Sequence, residues 1–306
     1  MMRIVFFGTP DFAVASLEAL IQANFNVVAV VTAPDKPAGR GMQLQSSAVK
    51  QFAETQGLPV LQPLKLKDPA FVEELNLYKP DLQVIVAFRM LPEVIWSLPP
   101  LGTFNLHGSL LPNYRGAAPI HWAVINGETE TGVTTFFLQQ EIDTGDLLFQ
   151  EKELISPTDT TGDVYERLMR KGAKLVVKTA LAIQANDIHP QPQDESSPMK
   201  AAPKLHRETG QLHWSKTGEE IGNLVRGMNP FPSAHTEFQG KNCKVIRVEF
   251  HPEPIPSLGI GIWDTDQKTF LRVGCKDGYV KILEWQMEGK KKMKIEDFLR
   301  GYSFTF

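Results

Sequence analysis

The chain has 306 residues, 42% of them hydrophobic and 22% charged, with a formal net charge of −3. These are the values of an ordinary soluble globular protein, long enough for two domains. No run of about 18 apolar residues exists, which excludes a transmembrane helix, and the apolar start Met1–Phe7 is too short for a signal peptide. A cytoplasmic protein without membrane contact is expected. Cys243 and Cys275 lack metal-ligand spacing; they read as buried thiols, with a disulfide as the alternative. Residues 1–199 carry 15 Lys and Arg against 22 Asp and Glu, whereas residues 200–306 carry 17 against 13. A positive C-terminal part suits a polyanionic partner, or a merely solvated charged face.

Strand and helix patterns alternate over the first ~185 residues. Arg3–Phe7 is an apolar run ending at Gly8. Pro10 suits a first helical turn, with Thr9 as its cap, and helical spacing runs through Ala23. Val27–Val31 is a continuous apolar, Val-rich run, as in a strand buried on both faces. Residues 33–43, rich in Gly and Pro, read as an irregular loop. A helix is expected over Ser47–Thr55, strands over Leu82–Ala87 and Thr103–Leu106, and a helix over Pro119–Asn126. Val133–Leu138 and Leu147–Gln150 read as a strand pair across a turn at Asp143, and Thr161–Ile183 as a long helix. This alternation predicts an α/β Rossmann-like open sheet with function at the carboxyl ends of its strands.

Residues 189–205 are polar and proline-rich, a linker between a domain over 1–188 and a second over 206–306. The second reads as a helix over Gly218–Gly227 followed by strands Ala234–Phe238, Asn242–His251, Thr269–Val273 and Tyr279–Met287. Short strands separated by turn residues predict a small β-barrel.

Asn105 and His107 stand two apart at a strand end, so both side chains point to one side of a sheet. An amide donor and an imidazole that titrates near neutrality then share one spot. Gly108 permits close approach of a ligand. Asp143, in Asp143-Thr144-Gly145-Asp146, is either an ordinary turn residue or a carboxylate that orients the imidazole. Gly8-Thr9-Pro10-Asp11-Phe12 lacks the second and third glycines of a dinucleotide fingerprint, and Pro10 removes an N–H that a pyrophosphate would use. No nicotinamide cofactor and no metal are expected.

These residues resemble the folate-dependent formyltransferases, whose Asn–His–Asp triad matches Asn105, His107 and Asp143, with His-Gly-Ser-Leu-Leu-Pro at 107–112. Within that family the chain is similar to the branch acting on methionyl-tRNA, through Phe7–Ala13, Pro34–Gly41, Ser109–Ile120, Asn126–Val133 and Asp143–Asp146. The resemblance implies a Rossmann-like catalytic domain and an oligonucleotide-binding-like (OB-like) barrel. It implies transfer of formyl from 10-formyltetrahydrofolate, as co-substrate, to the amino group of methionyl initiator tRNA. Folate would lie near Phe88, Arg89, Met90 and Leu91, near Ser109, Leu110, Leu111 and Pro112, and near Gln140, Glu141 and Ile142. Lys36 and Arg40 would reach the tRNA, and Lys204, Lys290, Lys291 and Lys292 would hold it through phosphates. Asn105 would donate to the formyl oxygen; His107 would stabilise that oxygen or move a proton; Asp143 would hold His107 or a water beside it. A monomer is expected.

The chain departs from the pattern at Met42-Gln43, where lysines are common, and at Phe88–Leu91, where a Tyr-Gly pair is common. Three alternatives use the same residues: a sugar-nucleotide formyltransferase, a formyl-folate hydrolase, and a non-catalytic RNA-binding protein that keeps only the barrel.

Overall fold

A short apolar run with no polar alternation, bounded by turn residues, suits a strand covered on both faces. In the computed structural model of the protein, such runs form the middle of a seven-stranded sheet. Residues 1–38, 43–196, 198–253 and 255–303 are described. The sheet comprises β1 (Arg3–Gly8), β2 (Asn26–Val31), β3 (Val60–Leu61), β4 (Leu82–Val86), β5 (Thr103–His107), β6 (Glu130–Phe137) and β7 (Leu147–Leu154), in the order β7-β6-β5-β4-β1-β2-β3. The five strands β1–β5 run parallel and β6 runs antiparallel to β5. All five residues of β4 are buried. One face is covered by a core of Val5, Phe7, Ile85, Leu91 and Ile95, with Phe71 and Leu75 from a helix over Pro69–Leu77. Each such fully buried side chain is worth roughly 1.5–3 kcal/mol.

Local departures from the sequence reading have plain causes. The first helix, α1 (Asp11–Gln22), has Pro10 rather than Thr9 at its cap position, and no side chain caps it. The helix over Pro69–Leu77 was not predicted, although Asp68 caps it and Pro69 fills its first turn. Residues on both sides of the Gly-rich loop pair as a short hairpin, Lys36–Ala38 with Gln43–Gln45.

The C-terminal sheet is antiparallel: β8 (Ala234–Phe238), β9 (Lys241–His251), β10 (Trp263–Thr265), β11 (Leu271–Cys275) and β12 (Gly278–Met287), ordered β8-β9-β12-β11-β10. Phe238 on β8 and Trp263 on β10 meet with ring centroids 4.5 Å apart, although their strands lie at opposite ends of the pairing order. The sheet therefore curls until its edges share one core, around Val245, Val273, Val280, Ile282 and Trp285. Cys243 and Cys275 are free and buried. Burial pushes the Cys243 thiol up to about 11, so it is inert at neutral pH.

The chain forms two compact units: Met1–Pro119, Thr131–Leu154 and Tyr165–Ala201 in one, Ile120–Glu130, Ile155–Val164 and Ala202–Phe306 in the other. The proline-rich segment up to Ala201 thus belongs to the first unit.

Candidate active site

Asn105 and His107 lie at the carboxyl end of β5, in the interior of the sheet. Asn105 pairs with Ile85 on β4 and Phe136 on β6, and His107 with Thr134 on β6. The two-residue spacing turns both side chains to the same face.

The His107 imidazole is buried, and each nitrogen faces an oxygen. Nε2 lies 2.8 Å from the Tyr114 carbonyl. A carbonyl can only accept, so Nε2 carries the proton and Nδ1 is the basic nitrogen. Nδ1 is 3.8 Å from Asp143 Oδ2. That distance is too long for a hydrogen bond and leaves the carboxylate as the oxygen nearest to Nδ1 across a short gap. The same Oδ2 accepts the Gly116 N–H at 2.9 Å. Asn105 is half-buried, and its side-chain amide has no hydrogen-bond partner among the described residues. It is a donor held ready for something that none of the described residues supplies.

Strain and close packing mark the same place. Ala87 (φ 47°), Tyr114 (φ 62°) and Asp143 (φ 56°) are non-glycine residues in the left-handed region. Such conformations persist only where the surroundings enforce them; among the described residues six further ones, such as Asn24 and Gln239, lie away from this segment. The Asp143 turn is pressed onto β6: a Cβ on Gly145 would stand 1.6 Å from the Phe137 carbonyl oxygen. Phe136, the β6 partner of Asn105, packs its ring against this turn.

Thr134 fastens the segment after His107. Its hydroxyl donates to the Ser109 carbonyl at 2.6 Å and accepts from Leu111 N at 3.2 Å and Gln150 Nε2 at 3.0 Å. Ser109 in turn donates to the Asn113 carbonyl at 2.6 Å. Ser109 and Leu111 are buried, whereas Leu110 and Pro112 are partly accessible.

The remaining predicted residues divide clearly. Phe88 and Leu91 pack on the core beside Leu138, two residues before Gln140. Phe88 also meets Phe7 edge-on at 5.7 Å. Arg89 donates to the carbonyls of Pro63 (2.5 Å) and Leu64 (3.0 Å), so it pins a neighbouring loop. Met90 and Ile142 expose large apolar side chains, at 71% and 60%, and Gln140 and Glu141 are exposed beside Ile142. Lys36 is exposed. Just before it, Asp35 bonds Lys50 at 2.6 Å and Gln62 at 2.8 Å, and the Lys50 bond holds its carboxyl below the usual range. Arg40 lies outside the described residues. In the second unit Lys204, Lys290, Lys291 and Lys292 are exposed, and Lys292 is 3.4 Å from Glu284.

Sequence reasoning missed Thr134, Gln150 and Gln193, and the roles of Tyr114 and Gly116. The last two act through main-chain groups, which leave no side-chain signal. Gln193 donates to the Asp143 and Gly145 carbonyls, both at 2.8 Å; nothing in its proline-rich surroundings distinguishes it.

Comparison with known proteins identifies the family and the fold. Residues 2–180 match the family "Formyl transferase" and residues 204–303 match "Formyl transferase, C-terminal domain". The chain is 48% identical to the methionyl-tRNA formyltransferase of Bacteroides fragilis, over 99% of this chain and 96% of that one. It is 49% identical to the enzyme of the same name from Parabacteroides distasonis, over 98% and 96%. Its fold is shared by an N-formyltransferase from Helicobacter canadensis in complex with folinic acid and dTDP-3-aminofucose, with TM-score 0.69, 22% identity, and 96% and 100% of the two chains covered. It is shared also by HypX from Aquifex aeolicus in complex with tetrahydrofolic acid, with TM-score 0.65, 20% identity, and 98% and 47% covered. With both family matches together spanning nearly its whole length, the chain belongs to the formyl transferase family.

Proposed function

We propose that the protein transfers the formyl group of 10-formyltetrahydrofolate to the amino group of methionyl initiator tRNA, acting as a monomer. The observation that carries the chemistry is the unpartnered Asn105 amide beside a buried imidazole whose basic nitrogen faces a carboxylate. The choice of acceptor is supported by relatives of that name at 48–49% identity over nearly full length.

The bound folate supplies an activated formyl carbon and a nitrogen leaving group. When the amine attacks that carbon, negative charge grows on the formyl oxygen. Asn105 donates to it without first breaking a bond to any of the described residues, a preorganised contribution of about 2.7–4 kcal/mol in other enzymes. His107 Nδ1 takes the proton released by the amine and returns it to the leaving nitrogen. While charged, the ring lies between the Tyr114 carbonyl and the Asp143 carboxylate, both acceptors. The exposed Met90 and Ile142 side chains offer an apolar surface suited to the flat pterin and benzoyl rings. Lys36 and Arg40 reach the acceptor end, and Lys204 and Lys290–Lys292 contact phosphates.

The test is direct. The protein is incubated with 10-formyltetrahydrofolate and, in parallel, charged initiator tRNA, an amino-sugar nucleotide, or buffer. Formyl-methionyl-tRNA is the expected product. Product only with the sugar nucleotide, or donor consumption in buffer alone, would replace this reading with a sugar formyltransferase or a hydrolase.

A further inference from the structure

We infer that Gln193, from the proline-rich segment between the two family matches, is a positioning residue that sets Asp143 against His107. Both hydrogens of its amide are used, to the Asp143 and Gly145 carbonyls at 2.8 Å each. Its carbonyl oxygen accepts from Arg115 Nε at 3.2 Å and Arg115 Nη2 at 2.6 Å. Two donors and two lone pairs are the whole capacity of a glutamine side chain. The amide has one orientation, because a flipped group would aim NH₂ at a guanidinium and oxygen at two carbonyls.

The two things it joins are the two supports of the site. Arg115 lies between Tyr114, whose carbonyl holds His107, and Gly116, whose N–H holds Asp143. Asp143 and Gly145 are the turn that carries the carboxylate. Gln193 therefore ties the segment that fixes the imidazole to the turn that carries the acid, alongside the direct bond from the Gly116 N–H to Asp143. The flanking chain is itself held. Gln191 and Leu147 exchange backbone bonds at 2.7 and 2.9 Å, and Glu195 pairs with Arg115 at 2.7 Å. A residue in this place reads as spacer in the sequence and functions as part of the catalytic frame.

The inference rests on the formyl-transfer reading, so its test has one arm that needs no turnover. Gln193→Glu keeps the acceptor for Arg115 and replaces both donors by an anion facing two carbonyls. In the free protein, amide hydrogen exchange at Gly116 is expected to quicken about tenfold or more, with Phe6 in the central sheet unchanged. In turnover, kcat is expected to fall about tenfold or more, with KM for folate and tRNA within about twofold and Tm within about 2 °C. Gln193→Ala should follow the same pattern. Unchanged Gly116 exchange, an unchanged kcat, or a kcat loss that merely tracks a fall in Tm would each overturn the inference. If the wild-type protein forms no formyl-methionyl-tRNA, the functional reading fails, and the exchange arm still decides what Gln193 holds.

Discussion

Asp143 Oδ2 accepts the Gly116 amide at 2.9 Å while standing 3.8 Å from His107 Nδ1. The carboxylate is thus oriented by the main chain and does not depend on the imidazole for its place. Its effect on His107 is electrostatic, and it grows when the ring becomes charged. Asp143→Asn keeps an oxygen for the Gly116 N–H and removes the charge. The variant should fold normally and lose about 10²–10⁴-fold in kcat, by analogy with carboxylates that support a catalytic histidine elsewhere. Steady-state kinetics alongside thermal unfolding checks this; a loss below about tenfold would remove Asp143 from proton handling.

Asn105 gives a cleaner separation of stability from activity. Its amide makes no bond within the described residues, so the fold loses little when it is truncated. Asn105→Ala should cost about 10²–10³ in kcat, equivalent to 2.7–4 kcal/mol of lost oxyanion stabilisation. The urea midpoint should barely move. Measured together, a large stability loss with modest kinetic loss would reassign Asn105 as a structural residue.

Thr134 has the opposite profile. Its buried hydroxyl serves Ser109 O, Leu111 N and Gln150 Nε2 at once. Thr134→Val keeps the shape but removes the partner of Ser109 O and Leu111 N, while Gln150 Nε2 keeps its bond to the Leu111 carbonyl, at a cost of about 1–3 kcal/mol. Because the segment it fastens follows His107 directly, activity should fall as well, and a thermal melt paired with kinetics should show both losses.

Much of this site was legible because its chemistry sits on short local patterns. Asn105 and His107 are two residues apart on one strand, and a two-residue period puts them on one face whatever surrounds them. Asp143 was legible only as a turn residue or an orienting acid; the structure puts it 3.8 Å from His107 Nδ1, with its carboxylate bonded to the Gly116 N–H. What stayed hidden is main-chain or long-range. The Tyr114 carbonyl and the Gly116 N–H carry no residue-type signal. Gln193 meets Asp143 across 50 residues from a segment whose composition reads as linker. The grouping of 120–130 and 155–164 with the C-terminal unit is equally long-range. The helix over Pro69–Leu77 is a different case, because its Asp68 cap and Pro69 were visible and went unread.

The second unit offers a pH test. Thr217 and Glu220 form a reciprocal capping box at the start of the Gly218–Gly227 helix. Bonds from the Thr217 backbone, then from Lys216 and the Thr217 hydroxyl, lower the Glu220 carboxyl to about 2 from 4.5. Its folded-state value is depressed, so the ionised carboxylate stabilises fully above pH 4.5 and ceases to do so as pH falls through about 2. Wild type should exceed Glu220→Gln in stability at pH 7, with the margin shrinking across that window. The side chain is half exposed, so the margin should also shrink in high salt. Urea titrations at several pH values measure it, and a margin independent of pH would contradict the assignment.

Two glycines should respond to the same substitution with opposite signs. At Gly145 an added Cβ would lie 1.6 Å from the Phe137 carbonyl oxygen, a backbone atom at the end of β6 that cannot step aside as a flexible side chain could. The turn must lift off β6, and Asp143 lifts with it, so Gly145→Ala should cost about 3 kcal/mol or more together with nearly all activity. At Gly222, inside the helix that the Thr217 box begins, an added Cβ meets nothing within 4 Å. There the glycine only adds freedom to the unfolded chain, and Gly222→Ala should stabilise by about 0.5–1 kcal/mol. Activity should not change. Unfolding by urea followed for both variants decides the pair. A Gly145→Ala protein as stable as wild type would mean that the turn is not pressed onto β6 in solution, and the placement of Asp143 would fail with it.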